Sequence, residues 1–169
     1  KAAFRSGSID GTQWDDSNIG TNSVAMGADT KASGTWSIAI GDETTASGIG
    51  SFAAGRRTVS SKEASVAMGY QTTASGAMST SLGLYTLASG SASTAMGYYA
   101  GAQSYASVAL GRYNVISGTT TSWVDTDPLF VIGNGADSSN RANAVTVLKN
   151  GNVGIGTTTP TEKIDVVGT

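Results

Sequence analysis

Bulky and small residues alternate along much of this chain with a period of two. In Ser23-Val24-Ala25-Met26 the alternation is closed by Gly27, a pattern that predicts a short strand and no helix. The segment recurs. Copies of Ser-x-Ala-x-Gly begin at Ser23, Ser37, Ser51, Ser65, Ser79, Ser93 and Ser107, a step of 14 residues each time with no insertion. The closing glycines keep the same step, from Gly27 to Gly111. Position two holds Val24, Ile38, Phe52, Val66, Thr80, Thr94 and Val108, and position four holds Met26, Ile40, Ala54, Met68, Leu82, Met96 and Leu110. These share one strand face, and the Ser and Ala residues share the other. Most units close with a segment such as Thr30 to Gly34 or Thr44 to Gly48, of the form Thr-x-Ala-Ser-Gly, from which the third (Ser60-Ser61-Lys62-Glu63) and sixth (Ala102-Gln103-Ser104-Tyr105) depart.

Fourteen residues accommodate two short strands and two tight turns, with glycine the natural occupant of positive-φ turn positions. Stacked in register, such coils form a parallel β-solenoid in which each strand lies about 4.7 Å from its copy. Seven coils give a rod of roughly 30 Å on that spacing. The bulky residues are expected to fill the coil interior. The Ser/Ala face is then left as a flat strip, uncharged from Ala64 to Gly111. A strip of that kind is better hidden against identical chains than exposed. Ser23, Ala25, Ser37, Ala39, Ser65, Ala67, Ser93 and Ala95 are therefore candidate self-association contacts, with the order of the symmetry left open.

Composition narrows the function. Only 13% of residues are charged and the net charge is −2, which offers no basic patch for nucleic acid. Cysteine and histidine are absent, so disulfides, thiolate metal sites and the commonest general base are missing. No cofactor and no enzymatic activity is expected. No apolar run approaches the ~20 residues that span a bilayer. The chain begins at Lys1 without a signal peptide and reads as a piece of something longer.

Several clusters stand out against this neutral background. Arg56, Arg57, Lys62 and Glu63 fall in the third unit, where a solvated turn is the plainer reading and an outer ligand contact the sharper one. Tyr98, Tyr99, Tyr105 and Tyr113 crowd the last coils and suit either recognition of protein or glycan or packing against the C-terminal segment, with packing favoured. Trp14 and Trp123 are expected to cover the two rod ends. The in-phase threonines 30, 44, 58, 72 and 86 would bind ice only as an exposed ladder, and in-register hydroxyl pairing is the plainer reading. Asp125, Asp127 and Asp137 are oxygen ligands of the type a cation uses, though loop solvation explains them as well. Asn150-Gly151 predicts a two-residue turn between alternating strands. The glycines from Gly151 to Gly156 lack the lysine and helix of a phosphate loop.

Ser-Val-Ala-Met-Gly and Ser-Ile-Ala-Ile-Gly, separated by Thr-x-Ala-Ser-Gly, resemble the head repeats of YadA-like trimeric autotransporter adhesins over about Asn22 to Gly118. The resemblance implies a left-handed parallel β-roll, a homotrimer with the small-residue side near the threefold axis, and a place on the bacterial cell surface. Asp127 to Gly135 and Ala144 to Gly156 resemble segments that follow such heads, and Thr157 to Asp165 a linker of bacterial and phage fibres. The expected division is an N-terminal cap (1–22), a head of seven repeats (23–118) and a C-terminal β segment (119–169). The implied function is an adhesin head that meets a protein or glycan ligand on a target surface, with Arg56, Arg57, Lys62, Tyr98, Tyr99 and Trp123 as outer-face contact candidates. A structural spacer of a bacterial or phage fibre is the alternative.

Overall fold

The computed structural model describes residues 1–168 and is an all-β solenoid. Its rungs are β1 (Phe4–Ser8), β2 (Val24–Ala28), β3 (Lys31–Ala32), β4 (Ile38–Asp42), β5 (Thr45–Ala46), β6 (Phe52–Arg56) and β7 (Val59–Ser60). They continue as β8 (Val66–Tyr70), β9 (Thr73–Ala74), β10 (Thr80–Leu84), β11 (Leu87–Ala88), β12 (Thr94–Tyr98), β13 (Gly101–Ala102) and β14 (Val108–Arg112). Beyond the coils come β15 (Pro128–Asn134), β16 (Asn143–Leu148), β17 (Val153–Ile155) and β18 (Ile164–Val166). The long strands build one 12-stranded sheet in the order β1-β2-β4-β6-β8-β10-β12-β14-β15-β16-β17-β18. The two-residue strands β3 to β13 build a second, parallel sheet of six. Within the repeats every rung pairs with its copy in the next: Val24 with Ile38, Ala25 with Ala39, Met26 with Ile40, Gly27 with Gly41.

The ladder runs further than the 14-residue step. Gly7 pairs with Gly27, so Phe4 to Ser8 is a degenerate rung followed by a longer connection. Phe130-Val131-Ile132-Gly133 pairs with Val108-Ala109-Leu110-Gly111 and adds a rung in which Val131 takes the alanine position. Then the direction changes: β16 is antiparallel to β15 and to β17. The Leu148 amide bonds to the Asn152 carbonyl and Gly151 sits at φ 82°, so three residues close this turn and not two.

Which face looks inward is the main correction to the sequence expectation. Ala25, Ala32, Ala39, Ala46, Ser23, Thr30 and Ser37 are almost wholly inaccessible within a single chain, while Met26, Ile40 and Met68 are 38–43% exposed. A 14-residue coil brings its two sheets so close that only Ala, Ser and Thr fit between them. The bulky side chains are turned out, and the two strand faces exchange the roles the alternation suggested.

The turns also differ. Two backbone positions per coil lie in the left-handed region: the series Asn22, Trp36, Gly50, Ala64, Met78, Ala92, Ala106 and the series Asp29, Glu43, Arg57, Gln71, Tyr85, Tyr99, Tyr113, at φ 43–62°. Only Gly50 among these is glycine. Each residue from Asp29 onward donates its N–H to a carbonyl of the preceding coil, as Trp36 does to Thr21 and Tyr85 to Tyr70, which offsets the local strain. The in-phase glycines have positive φ as well, at 94–136°, and also serve close approach. A Cβ on Gly69 would overlap the carbonyl oxygen of Gly83, and the same holds from Gly7 to Gly97.

Inside the coil the serine of every repeat except Ser51 turns back on its own corner. Ser37 donates to the Gly34 carbonyl at 2.7 Å, and Ser79 to Gly76 at 2.7 Å. The threonine hydroxyls of Thr30, Thr44, Thr58 and Thr72 are buried and without a partner, which removes the exposed ladder that ice binding needs. Thr86 is the exception, because Ser81 replaces alanine and their hydroxyls meet at 2.8 Å. Ala67→Ser should therefore give Thr72 the same partner and raise stability by about 0.5–1.5 kcal/mol. Thermal unfolding of Ala67→Ser and Ser81→Ala should move in opposite directions; a fall in both would disprove the pairing.

Candidate functional site

The ends of the hollow are closed by polar side chains. At the N-terminal end Arg5 occupies the alanine register and its guanidinium donates to the Ser23 hydroxyl at 2.8 Å and the Ala32 carbonyl at 3.1 Å. Burial lowers the pKa of Arg5 from its ordinary value. Trp14 reinforces that end from outside, its indole N–H 3.0 Å from the Thr30 carbonyl. At the other end Asn114 is a side-chain substitute for a further rung. Its amide accepts from the Gly101 N–H and donates to the Gly101 carbonyl, both at 2.8 Å. Asn114→Ala would strand two buried backbone groups of β13, at a cost of about 2–4 kcal/mol. Urea unfolding and hydrogen exchange at the Gly101 amide check this; an unprotected Gly101 amide in the wild type would contradict it.

The outer face of the long sheet is largely apolar over the coils, with Thr80 and Thr94 the polar members of its first row. Two rows of side chains stand on it, one headed by Val24, Ile38, Phe52 and Val66, the other by Met26, Ile40, Ala54 and Met68. Neither row carries a charge in any repeat. The residues expected to form a self-association strip, Ser23, Ala25, Ser37, Ala39, Ser65, Ala67, Ser93 and Ala95, are instead within 1% of complete burial inside one chain. They have no surface left to offer a partner.

One corner of the rod carries a graded series. Near the N-terminal end Asp42 and Glu43 hold Arg56 and Arg57, with Nε to carboxylate distances of 2.8 and 2.7 Å. The hydrogen bond from Arg57 lowers the pKa of Glu43 and raises that of Arg57. Further along, the same corner becomes aromatic. Tyr85 and Tyr99 stack at 4.4 Å, Tyr99 and Tyr113 at 4.8 Å, and Tyr98 stands edge-on to Tyr99 and Tyr113. The hydrogen bond with Tyr98, then burial, pushes the Tyr113 phenol up to about 12. Arg112 and Arg141 lie 5.8 and 5.7 Å from the Tyr113 ring. Mutual stacking covers most ring faces, so the aromatic residues brace the corner and meet the C-terminal segment through Arg141. Tyr98 alone of the stack stays 39% exposed.

The remaining candidates do not converge with these. Lys62 is exposed on its own turn. Trp123 is 51% exposed and does not cover the end of the hollow; its ring lies 5.0 Å from the buried Lys149 ammonium. Burial lowers the Lys149 pKa. Asp125 accepts from the Trp123 indole, Asp127 from the Thr119 amide and Asp137 from Asn140, so the three serve separate loops. Among the described residues no cluster of acidic side chains is arranged to hold a metal, and no helix is long and apolar enough to cross a membrane.

A family model described as the YadA head domain repeat (2 copies) matches residues 19–44, 32–58, 60–86 and 88–114, together more than half of the chain. The chain belongs to the YadA head family. No curated protein matches it. The matched span runs from the connection before β2 to the buried Asn114, the stretch in which the 14-residue coils stack without interruption. YadA heads are parts of trimeric autotransporter adhesins, so an adhesin-type, surface-exposed role follows in general terms. The extra rungs at Phe4 and Phe130 lie outside the matched residues. Neither is marked by the 14-residue step, because their spacing breaks the period. The signal was present, since Phe130-Val131-Ile132-Gly133 repeats the alternation and its closing glycine.

Proposed function

We propose that this chain is the head of a homotrimeric adhesin on a bacterial surface and attaches to protein or glycan on a target surface. The observation that carries the reading is the outer face of the long sheet: two uncharged, mostly apolar rows in register over the coils, half-buried to exposed in the single chain. Water contact with that much apolar surface is unfavourable, and identical rods placed side by side match row for row. Three is the order of the family's adhesins, and a left-handed coil is the sense of their heads. The bulky face, not the Ser/Ala face, then lies at the threefold axis.

Trimer formation leaves the short sheet and the corners facing outward. Tyr98, Tyr99, Arg56, Arg57, Lys62 and Trp123 are the side chains there that suit ligand contact. The division into cap, head (23–118) and C-terminal segment follows the family pattern. Binding of the purified trimer to arrays of matrix proteins and glycans tests the role, with Tyr98→Ala and Arg56→Ala as site variants. Failure to bind any surface would sink it. The near-identity of coils from Ala64 to Gly111 favours one second reading, a spacer in a bacterial or phage fibre. Deleting two whole coils without loss of attachment would support the spacer.

A further inference from the structure

We infer that β15 to β18 extend the self-assembly face beyond the repeats, so that residues 128–166 are a trimerisation clamp occupied by the same strands of two further copies. The inference rests on the trimeric reading above. Its own support is register. Leu110 pairs with Ile132, Ile132 with Val145, Val145 with Ile155 and Ile155 with Val166. The second row continues likewise from Val108 through Phe130, Val147 and Val153 to Ile164. Directly paired residues share a sheet face in parallel and antiparallel ladders alike. Both rows of the coil face therefore cross the change of direction at β16 without turning over.

Phe130, Val145, Val147 and Val153 of these rows are half-buried, and the other four are exposed. Ile132 is 37% exposed, Ile155 46%, Val166 62% and Ile164 71%. The opposite face behaves as the coil interior does, with Val131 and Thr146 at 3% and 0%. No charged residue stands on either outer row from β15 to β18. The second sheet ends at β13, so the inner face of these strands is covered by loops, with Gly133 against Asn114 and Gly154 against Thr157 and Pro160. Their open outer face is apolar, and water contact with it is unfavourable. Symmetry names the occupant: a threefold axis along the rod that brings the coil faces together brings their in-register continuation together as well.

Thiol accessibility in the full chain tests this, since there is no native cysteine. Val166→Cys is compared with Ser47→Cys, an exposed residue beside the short sheet. In a chain of trimeric mass, Val166→Cys should react with a maleimide at least about tenfold more slowly, as a covered interface position does. A second variant, Ile155→Glu with Ile164→Glu, should need at least about tenfold more protein to reach trimeric mass, since two like charges from every chain would meet near the axis. Equal labelling rates in a trimer, or an unchanged trimer in the double variant, would overturn the clamp and leave the coil interface standing. A monomeric wild type would overturn both.

Discussion

Gly69→Ala should disrupt the solenoid at its middle, with a loss of at least about 4–5 kcal/mol, in the range reserved for severe core damage. Gly69 sits at φ 126°, a conformation that L side chains rarely adopt, and its absent Cβ leaves room for the Gly83 carbonyl oxygen of the next rung. The obstacle is backbone, which cannot rotate aside as a side chain can. To admit a methyl group, β8 and β10 must separate and lose ladder hydrogen bonds, and the fault repeats at no other rung that could share it. Gly50→Ala provides the contrast. Gly50 also has positive φ, 62°, but nothing lies within 4 Å of its Cβ position. Ala64, Ala92 and Ala106 already occupy the equivalent place in other coils. Its cost should stay at about 1 kcal/mol, the usual penalty of the left-handed region. Chemical denaturation of the two variants measures the difference; similar losses would show that the glycine ladder is a matter of turns and not of close approach.

Met68→Glu should leave the single chain folded and abolish its self-association. Met68 is 43% exposed at the centre of the outer face, so a carboxylate there meets solvent in the monomer. In a trimer three such carboxylates would be withdrawn from water near one another without a partner, a cost of several kcal/mol. Ala67→Glu, one residue away, should behave in the opposite order. Ala67 is fully inaccessible inside the coil, so a charge there should prevent folding altogether. Circular dichroism together with sedimentation separates the two results. A folded Ala67→Glu monomer with lost assembly would return the interface to the Ser/Ala face.

These two pairs of variants mark what could be read from the residues and what could not. Strand, period and rung boundaries were legible, because alternation closed by an in-phase glycine at 14-residue steps has few other physical realisations. The inward face was not. Alternation defines two faces, and the ordinary rule that bulky apolar residues go inside assigns them. That rule assumes space between the sheets, and a coil this short has room only for Ala25, Ser23 and Thr30 and their copies. The same narrowness turned the threonine ladder inward. The role of the glycines was half legible: their periodicity was plain, but the left-handed corners went to residues such as Trp36, Glu43 and Tyr85, held by bonds to the previous coil that no local pattern announces. Asn114 and Arg5 were invisible for a related reason, since each replaces a missing rung and matters only at the end of a stack.

At the candidate surface the legible part was composition. Tyr98, Tyr99 and Tyr113 were noticed as a crowd, and packing toward the C-terminal segment was the favoured reading, which the Arg141 contact to the Tyr113 ring bears out. Their mutual stacking depended on a spacing of one coil between rings and required the register. Trp123 looked like an end cap because of its position in the chain, whereas its ring covers the Lys149 stem and ammonium on the side of the C-terminal segment.

The most direct test of the central claim is the solution mass of the intact chain by sedimentation equilibrium across a concentration series. Association through the outer rows at the threefold order of the family's adhesins gives a single species near three times 16.9 kDa, persisting on dilution. A stable monomer of 16.9 kDa at all concentrations would contradict it.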